Sequence, residues 1–316
     1  MRKTAIILVA VLLLSLTACV TAVQNYGTPA NHAVTPLIWR VTSPDGYILY
    51  LFGSPVLGRA DIYPLPDIVM DAFHASDVLL METNPLEELR WIDRQRLNDL
   101  LISDTTIADT LGHDILDIVR DRVLDPFYMS AMRGIFGPDF VTSPAFTFPM
   151  WFSVFGNINA YLAGFYAEYM VETHFLNLAL EAYMTIIGTQ TILDLFRSTY
   201  SISAELQLLL LEERLDTEAY VNSMIYLFEM IIRGDYEEIL YTIMYAPDGA
   251  DEELFREASE TLIFGPNRIM AAAARAVLAD KRNVFFVINA ANLIGEMGIV
   301  NLLIQDGYSV ERVTPR

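Results

Sequence analysis

The chain has 316 residues, of which 53% are hydrophobic and only 19% are charged, and this composition excludes a disordered or low-complexity protein. Its 40 acidic residues outnumber the 20 basic ones and give a net charge of −20, so the surface repels nucleic acid and anionic lipid headgroups. Nucleic acid is therefore not an expected partner. The length suffices for one large domain with a sizeable core.

The N-terminus has the pattern of a bacterial lipoprotein signal peptide over residues 1–18. A short basic segment precedes an apolar run over residues 5–16, which is too short to span a bilayer comfortably. Cys19, the only cysteine, follows in the sequence Leu-Thr-Ala-Cys. We predict cleavage before Cys19 and a diacylglycerol on its thiol. The alternative is an ordinary secretory signal cut after residues 20–22, in which Cys19 is incidental.

A lipid on Cys19 predicts a protein anchored to the bacterial cell membrane or outer membrane, on the extracytoplasmic face. Each buried methylene contributes about 0.8 kcal/mol, so two or three acyl chains anchor durably. Loss of Arg2 and Lys3 with the leader lowers the net charge from −20 to −22, and no disulfide can form in the mature domain. Residues 19–36 lack apolar periodicity and are predicted to be a tether.

The first predicted elements form a β-hairpin. Residues 37–41 and 47–52 are aromatic and β-branched runs joined by the turn sequence Ser-Pro-Asp-Gly. A short helix at 66–75 and a buried strand at 78–82 follow, and that strand ends on the carboxylate of Glu82.

The middle of the chain is predicted to be helical, because apolar residues recur there at spacings of three and four. The predicted helices cover residues 86–101, 114–124, 204–215, 217–233 and 252–263. Residues 140–167 contain no charged side chain, but prolines, glycine and asparagines interrupt them, so we do not expect a membrane span. We interpret them as buried helices; the alternative is an apolar groove or a lid that faces the membrane.

The C-terminal part returns to alternating elements. They are a helix at 267–280, an apolar strand at 284–288, a turn at 289–295, a helix that ends at Gly307 and a strand at 309–313. Because strands occupy both ends of the chain, both ends must meet in one sheet. The predicted fold class is α/β (α+β mixed), with a central, mostly parallel sheet from the two ends and a largely helical middle, in one domain over 37–316.

Sites in such sheets form beyond the carboxyl ends of the strands. Three strand ends are visible in the sequence: Gly53-Ser54-Pro55-Val56, Glu82-Thr83-Asn84 and Asn289-Ala290-Ala291-Asn292.

At these positions the chain resembles the TraB/GumN family, which includes the Tiki proteases. Family members have a hairpin, a Gly-Thr-x-His turn, a helix that starts with Leu-Pro and a strand that ends in Glu. Near the C-terminus they have an apolar strand, a Gly-x-Gly-His-Leu-x-Gly turn and a helix leading to Gly-Tyr-x-Val. Residues 287–295, Gly298, Gly307, Tyr308 and Val310 follow this plan, and the resemblance covers residues 37–313.

The resemblance implies metal-dependent proteolysis, with the histidines of two Gly-x-x-His motifs as ligands of a divalent metal. In the first motif Gly53 remains, but Val56 stands in the place of histidine. In the second, Asn289 replaces glycine and Asn292 replaces histidine.

The other family positions are partly kept. Gln190 puts an amide where the family often has the carboxylate of Gly-Leu-Glu-Thr, and Pro266 stands where the family has arginine. Glu82 is kept, and Glu172 is near a position usually filled by aspartate.

These replacements predict that no metal or other cofactor is bound. Valine has no lone pair, and a neutral carboxamide is a poor ligand for zinc or manganese. The remaining histidines are not expected to be ligands; they are His32, His74, His113 and His174. For Glu82 two interpretations stay open: a strand-end carboxylate bonded to backbone or to Arg40, or a remaining metal ligand or general base.

The sequence therefore predicts a membrane-anchored, catalytically inactive relative of the family. Its expected role is binding, of a peptide or a cell-envelope component, in the cleft that the family uses for catalysis. The main alternative is a metal-dependent peptidase with a non-standard site built from Glu82, Glu172 and other carboxylates. A purely structural envelope lipoprotein is the third possibility.

Overall fold

The protein is described by a computed structural model over residues 34–101, 148–245 and 250–314. This part of the chain contains a six-stranded sheet with the order β4-β3-β5-β2-β1-β6. The strands are β1 (Leu37–Thr42), β2 (Ile48–Ser54), β3 (Val78–Thr83), β4 (Thr185–Gln190), β5 (Val284–Asn289) and β6 (Ser309–Arg312). β1 pairs antiparallel with β2 and β6, and the other pairs are parallel. The predicted mixed fold class with a mostly parallel sheet is confirmed.

The predicted hairpin is formed by β1 and β2, which pair from Leu37 opposite Gly53 to Thr42 opposite Ile48. Gly46 closes its turn with a φ of 88°, a left-handed conformation that glycine adopts without strain. The side chain of Ser43 accepts a hydrogen bond from the backbone N–H of Tyr47 (2.9 Å), which fixes the turn.

The central strand is β5, and it is buried at every position as its apolar sequence predicts. Phe286 pairs with Leu51 of β2 on one side and with Leu80 of β3 on the other. On one face of the sheet the Phe285 ring packs against Phe175, with ring centres 4.6 Å apart. The two ends of the chain therefore share one core.

Helices cover both faces of this sheet. They are α1 (Asp67–His74), α2 (Trp91–Leu101), α3 (Phe148–Leu162), α4 (Val171–Glu181), α5 (Ile192–Tyr200), α6 (Ala204–Leu215), α7 (Thr217–Ile232), α8 (Tyr236–Met244), α9 (Glu252–Ser259), α10 (Gly265–Ala279), α11 (Ala290–Leu293) and α12 (Ile299–Gln305). α6 has the predicted bounds and α7 ends one residue early, whereas the helix predicted from residue 86 begins only at Trp91. The helix predicted at 114–124 lies outside the described residues.

Several elements were missed by the sequence interpretation. They are the strand β4 and the helices α4, α5 and α8. β4 is a half-exposed edge strand with a glycine in its middle, so neither alternation nor a continuous apolar run marks it. Within the uncharged segment 140–167, the described part forms α3, where Phe152 and Phe155 are buried, as the buried-helix interpretation expected.

The helices predicted at 252–263 and 267–280 form one continuous helical stretch. A π-helical turn, Glu260–Phe264, joins α9 to α10. Such a turn fits Pro266, which cannot donate a backbone hydrogen bond and would break a regular helix. The stretch Glu252–Ala279 is long and apolar enough to cross a membrane, but half of its most apolar window is buried inside the protein, as in a core helix.

The chain enters the fold beside the end of α7. The backbone N–H of Thr35 donates to the carbonyl oxygen of Ile232 (2.8 Å). The last residues of the predicted tether are thus already fixed to the folded part.

Candidate functional site

The carboxyl ends of four strands meet at one edge of the sheet. Ser54, the last residue of β2, pairs with Asn289 of β5, and Thr83 of β3 pairs with Gln190 of β4. The three strand ends that the sequence indicated therefore lie together, and the missed strand β4 adds Gln190 to them.

Glu82 is bound by a neutral amide. Its Oε1 accepts a hydrogen bond from Nε2 of Gln190 (3.2 Å), and its backbone oxygen accepts one from the hydroxyl of Thr189 (2.9 Å). The expectation that Arg40 is a partner of Glu82 is wrong. Arg40 lies on β1, two strands beyond β5, and its guanidinium contacts Glu311 of β6 (2.9 Å). A glutamate at position 190 would repel Glu82, whereas the amide of Gln190 donates to it.

Glu172, in the first turn of α4, brings a second carboxyl group to Glu82. Burial and then the charge of Glu172 raise the pKa of Glu82 to about 7, and the hydrogen bond from Gln190 opposes this rise. Burial also raises the pKa of Glu172, against a hydrogen bond from the hydroxyl of Ser54. The pair therefore retains a proton near neutral pH more readily than exposed carboxyls do.

One oxygen of Glu172 has no partner in the described part of the chain. Its Oε2 is out of contact with solvent and makes no hydrogen bond to any described residue. A buried carboxylate oxygen without a partner is costly in its charged form, and this cost favours protonation or a ligand that donates to it.

An aromatic wall next to Glu172 was missed by sequence reasoning. The hydroxyl of Tyr63 donates to the carbonyl oxygen of Tyr169 (3.0 Å), and burial followed by the charge of Glu172 raises the pKa of Tyr63. The ring of His174 lies 5.1 Å from that of Tyr63, and burial lowers the pKa of His174. Tyr63 lies in an irregular loop without periodicity, so no pattern in the sequence indicates it.

The other histidines are exposed or lie outside the described residues. His74 is exposed at the end of α1, whereas His32 and His113 lie outside the described residues.

The turn after β2 packs against the turn after β5. A Cβ at Gly53 would lie 3.1 Å from Cα of Ala290, a tight contact that glycine avoids. Val56 is buried in the core and has a φ of 63°, a left-handed conformation that is strained for a β-branched residue. Its backbone N–H donates to the hydroxyl of Ser54 (2.9 Å), which stabilises the turn.

The asparagines of the second turn bind to other protein groups. Oδ1 of Asn289 accepts from the backbone N–H of Ala291 (3.0 Å) and so caps α11. Nδ2 of Asn292 donates to Oδ1 of Asn267 on α10 (2.7 Å), and Nδ2 of Asn267 donates to the carbonyl oxygen of Met297 (2.9 Å). These amides form a chain that holds α10 to the second turn.

The donor groups at this edge do not fit a transition metal. Glu82 and Glu172 are the only carboxyls among the positions that the sequence indicated, and Val56, Gln190 and Asn292 offer no imidazole or carboxylate. Across the described ranges, no three histidine, cysteine, aspartate or glutamate side chains come together as a metal site requires.

An open groove of about 490 Å³ lies beside Gln190. It lies between α5, the π-helical turn and α10, and Gln190 is part of its lining. Its walls include Asp194, Glu260 and Arg268, of which the last two are paired with each other. Gln190 thus both lines the groove and binds Glu82.

Of three comparisons with known proteins, one gives a match. No curated protein and no solved structure matches it. The family model described as the TraB/PrgY/gumN family matches residues 37–312, which include both carboxyls, both turns and the groove. The resemblance found in the sequence is confirmed, and the chain belongs to the TraB/PrgY/gumN family.

Proposed function

We propose that this protein is a lipid-anchored, extracytoplasmic member of the family that has lost the metal centre and acts by binding. The ligand is a peptide or another component of the cell envelope. One observation carries the proposal: the carboxylate of Glu82 is bound by the amide of Gln190 and lies beside Glu172, with its pKa raised to about 7. A metal site instead needs ionised carboxylates and imidazoles.

The two former imidazole positions support the same conclusion. Val56 is buried and has no lone pair, and the amide of Asn292 is already bonded to Asn267. A metal ion would have to break that bond and leave a buried amide unpaired, at a cost of about 1–3 kcal/mol. Binding without a metal needs no such rearrangement.

The chemistry of the edge indicates what kind of ligand fits. The oxygens of Glu82 and the unpartnered Oε2 of Glu172 accept hydrogen bonds, so the ligand donates them, as backbone N–H groups and basic side chains do. The groove has room for an extended segment, and Gln190 is shared between its lining and the hydrogen bond to Glu82. Affinity for a basic ligand is then expected to rise with pH as Glu82 ionises near pH 7.

A second candidate function is hydrolysis by the carboxyl pair. Two neighbouring carboxyls of raised pKa allow one to act as an acid while the other acts as a base, and carboxylate oxygens also bind hard divalent cations. This candidate is a peptidase that uses Glu82 and Glu172 in place of the usual ligands.

Metal content and activity decide between the two. We expect the purified mature protein to hold no stoichiometric zinc or manganese by elemental analysis and calorimetric titration at neutral pH. We also expect no peptide cleavage with added manganese or cobalt, in the wild type and in Glu82→Gln alike. One tightly held metal ion per chain that is lost in Glu82→Gln would contradict the binding proposal and support the hydrolase as the function.

A variant with the family residues put back tests whether the side chains at these positions account for the proposed loss of the metal site. Val56→His with Asn292→His and Asn289→Gly restores both motifs next to Glu82, so we expect measurable manganese affinity in the titration. The matched control is the same triple variant with Glu82→Gln, which should lose that affinity. Equal affinity in the two variants would show that the metal binds elsewhere.

The anchor is tested separately. Cys19→Ser removes the thiol that would carry the lipid, so the protein should move from the membrane fraction to the soluble fraction and lose its lipid mass. A Cys19→Ser protein that stays in membranes and still carries lipid by mass spectrometry rules the anchor out.

A further inference from the structure

The hairpin of α7 and α8 has three exposed tyrosines, which we call the tyrosine surface. Tyr226, Tyr241 and Tyr245 are 46%, 67% and 61% exposed. Large aromatic side chains with so much contact with solvent indicate a surface that binds a partner.

The three tyrosines form one continuous surface. The hydroxyl of Tyr226 on α7 donates to Glu238 on α8, so this ring lies against α8. Tyr241 follows Glu238 by three residues, which places both on the same side of α8, and Tyr245 comes directly after the end of that helix. The rings of Tyr241 and Tyr245 are 5.3 Å apart.

The N-terminal segment joins the folded part at the same hairpin. Thr35 donates to the carbonyl oxygen of Ile232, the last residue of α7. Gly234, in the turn between α7 and α8, has a φ of 70°, and a Cβ there would lie 2.8 Å from the oxygen of Thr35. The chain that leads back to Cys19 therefore starts at the turn of the hairpin that carries the tyrosines.

The length of that chain sets how far the hairpin lies from a lipid on Cys19. Sixteen residue steps separate Cys19 from Thr35, and they span at most about 55 Å when fully extended. An unstructured chain of this length has an end-to-end distance of about 20–25 Å. Tyr241 lies only about 8 Å along α8 from Tyr236, the first residue of that helix.

We propose that the tyrosine surface rests on the membrane to which the protein is anchored, with its rings in the headgroup region of a zwitterionic bilayer. Tyrosine favours this region because its ring is apolar and its hydroxyl stays hydrated. The inference rests on the proposed lipid anchor, which keeps the hairpin at a high local concentration near the bilayer, so a weak contact is sufficient.

The charges beside the tyrosines select the type of lipid. Asp235, Glu237 and Glu238 lie on the same hairpin, and Arg233 is paired with Asp235 (2.9 Å). This acidic margin repels anionic headgroups and leaves zwitterionic lipid as the matching surface.

Spin labelling tests the contact, because a lipidated chain has no other free thiol. The variants Tyr241→Cys and Tyr183→Cys each provide one labelling site in the full-length lipidated protein. Tyr183 is 96% exposed in the turn before β4, so it serves as the matched control. Each labelled protein is reconstituted on phosphatidylcholine vesicles, and collisions of the nitroxide with oxygen and with a water-soluble nickel chelate are measured.

We expect the ratio of oxygen to nickel collisions to be at least threefold higher at position 241 than at position 183. Adding Tyr226→Ser and Tyr245→Ser to the chain labelled at 241 should bring the ratio down to that of position 183. Equal ratios at both positions overturn the inference. A second copy seated on the surface lowers both collision rates at 241 without raising their ratio, and that outcome overturns it as well.

Flotation of the same vesicles separates this inference from the proposed anchor. If the wild-type chain does not float with vesicles, the anchor itself fails. If it floats and position 241 remains as accessible to nickel as position 183, only the tyrosine contact fails.

Discussion

Two halves of the same sheet edge differ in the chemistry of their side chains. The turns after β2 and β5 carry Val56, Asn289 and Asn292, and these side chains are buried or bonded to other protein groups. We call them the amide half. The ends of β3 and β4 with the start of α4 carry Glu82, Gln190 and Glu172, which we call the carboxyl half.

This difference shows that the side chains of the two halves have different roles. The amide half serves the fold, since its hydrogen bonds hold α10 and α11 to the turn after β5. The carboxyl half keeps two groups whose pKa values are raised mainly by burial, and one of them, Glu172, has an oxygen without a described partner. A buried polar atom without a hydrogen-bond partner is unusual in a native protein and is accounted for by a ligand, so the carboxyl half is the part to test for binding.

The largest expected effect concerns the strand on which both halves depend. Phe286→Ala should lower the free energy of unfolding by about 3–5 kcal/mol, because it removes a fully buried ring from the central strand and leaves a cavity. Urea unfolding measures this. Ile304→Ala, at a residue 49% exposed, is the control and should cost less than about 0.5 kcal/mol. A similarly small effect at Phe286 would show that β5 does not join the two halves.

The next effect tests the amide half. Asn292→Ala should destabilise the protein by about 2 kcal/mol, because it leaves the buried Oδ1 of Asn267 without a donor. The control is Asn301→Ala, which removes an exposed hydrogen bond to the oxygen of Glu296 that water can replace. If both variants unfold at the same urea concentration, the amide half has no structural role.

A smaller effect of opposite sign is expected in the carboxyl half. The pKa of Glu82 is about 7 in the folded protein and about 4.5 when unfolded, so the folded state holds the proton more tightly. The contribution of this group to the free energy of unfolding is therefore present in full below pH 4.5, and it is lost as the pH rises to about 7. Glu82→Gln removes that loss. Because the Glu82 side chain is only half-buried, solvent screening reduces the gain, and the variant should raise stability at pH 8 by about 1–2 kcal/mol and by nothing near pH 4.5.

Urea unfolding across this pH range checks the dependence on Glu82. Glu87→Gln, at an exposed carboxyl five residues further along, is the matched control for the change from glutamate to glutamine. A constant difference between wild type and Glu82→Gln from pH 4.5 to 8 contradicts the raised pKa.

The smallest effect concerns the strained turn of the amide half. The backbone of Val56 has a left-handed conformation, which glycine adopts more easily than alanine. Val56→Gly should therefore be more stable than Val56→Ala by about 0.5–1 kcal/mol. At Val69, buried inside α1, the order should reverse, because glycine destabilises a helix relative to alanine. The same order at both positions would argue against strain at Val56.

Local patterns in the sequence predicted the parts of the fold that are defined over short distances. The sequence predicts the β1–β2 hairpin, β3, β5 and the C-terminal strand, because their side chains alternate or form continuous apolar runs between turn residues. β4 was missed, since a half-exposed edge strand with Gly188 in its middle has neither pattern. The continuity of α9 and α10 was missed as well, because Gly265 and Pro266 normally end a helix.

The site was predicted in its position but not in its contacts. The strand ends and the family motifs located Glu82, Glu172 and Gln190, yet the sequence offered Arg40 as a partner for Glu82. The Glu82–Gln190 hydrogen bond joins residues 108 positions apart, and the carboxyl pair depends on how α4 packs over β3. No local pattern carries such information.

By itself, the sequence determined the fold class, the family and the residue types at the strand ends. These follow from periodicity, motif order and the chemistry of each residue type, which are properties of short segments. Only the tertiary structure decided that Glu82 meets Glu172 in a buried environment, that Asn292 bonds to Asn267, and that the tyrosine surface shares a hairpin with the entry of the N-terminal segment. The physical reason is that pKa shifts, buried hydrogen bonds and surface neighbours depend on groups that are distant in the sequence.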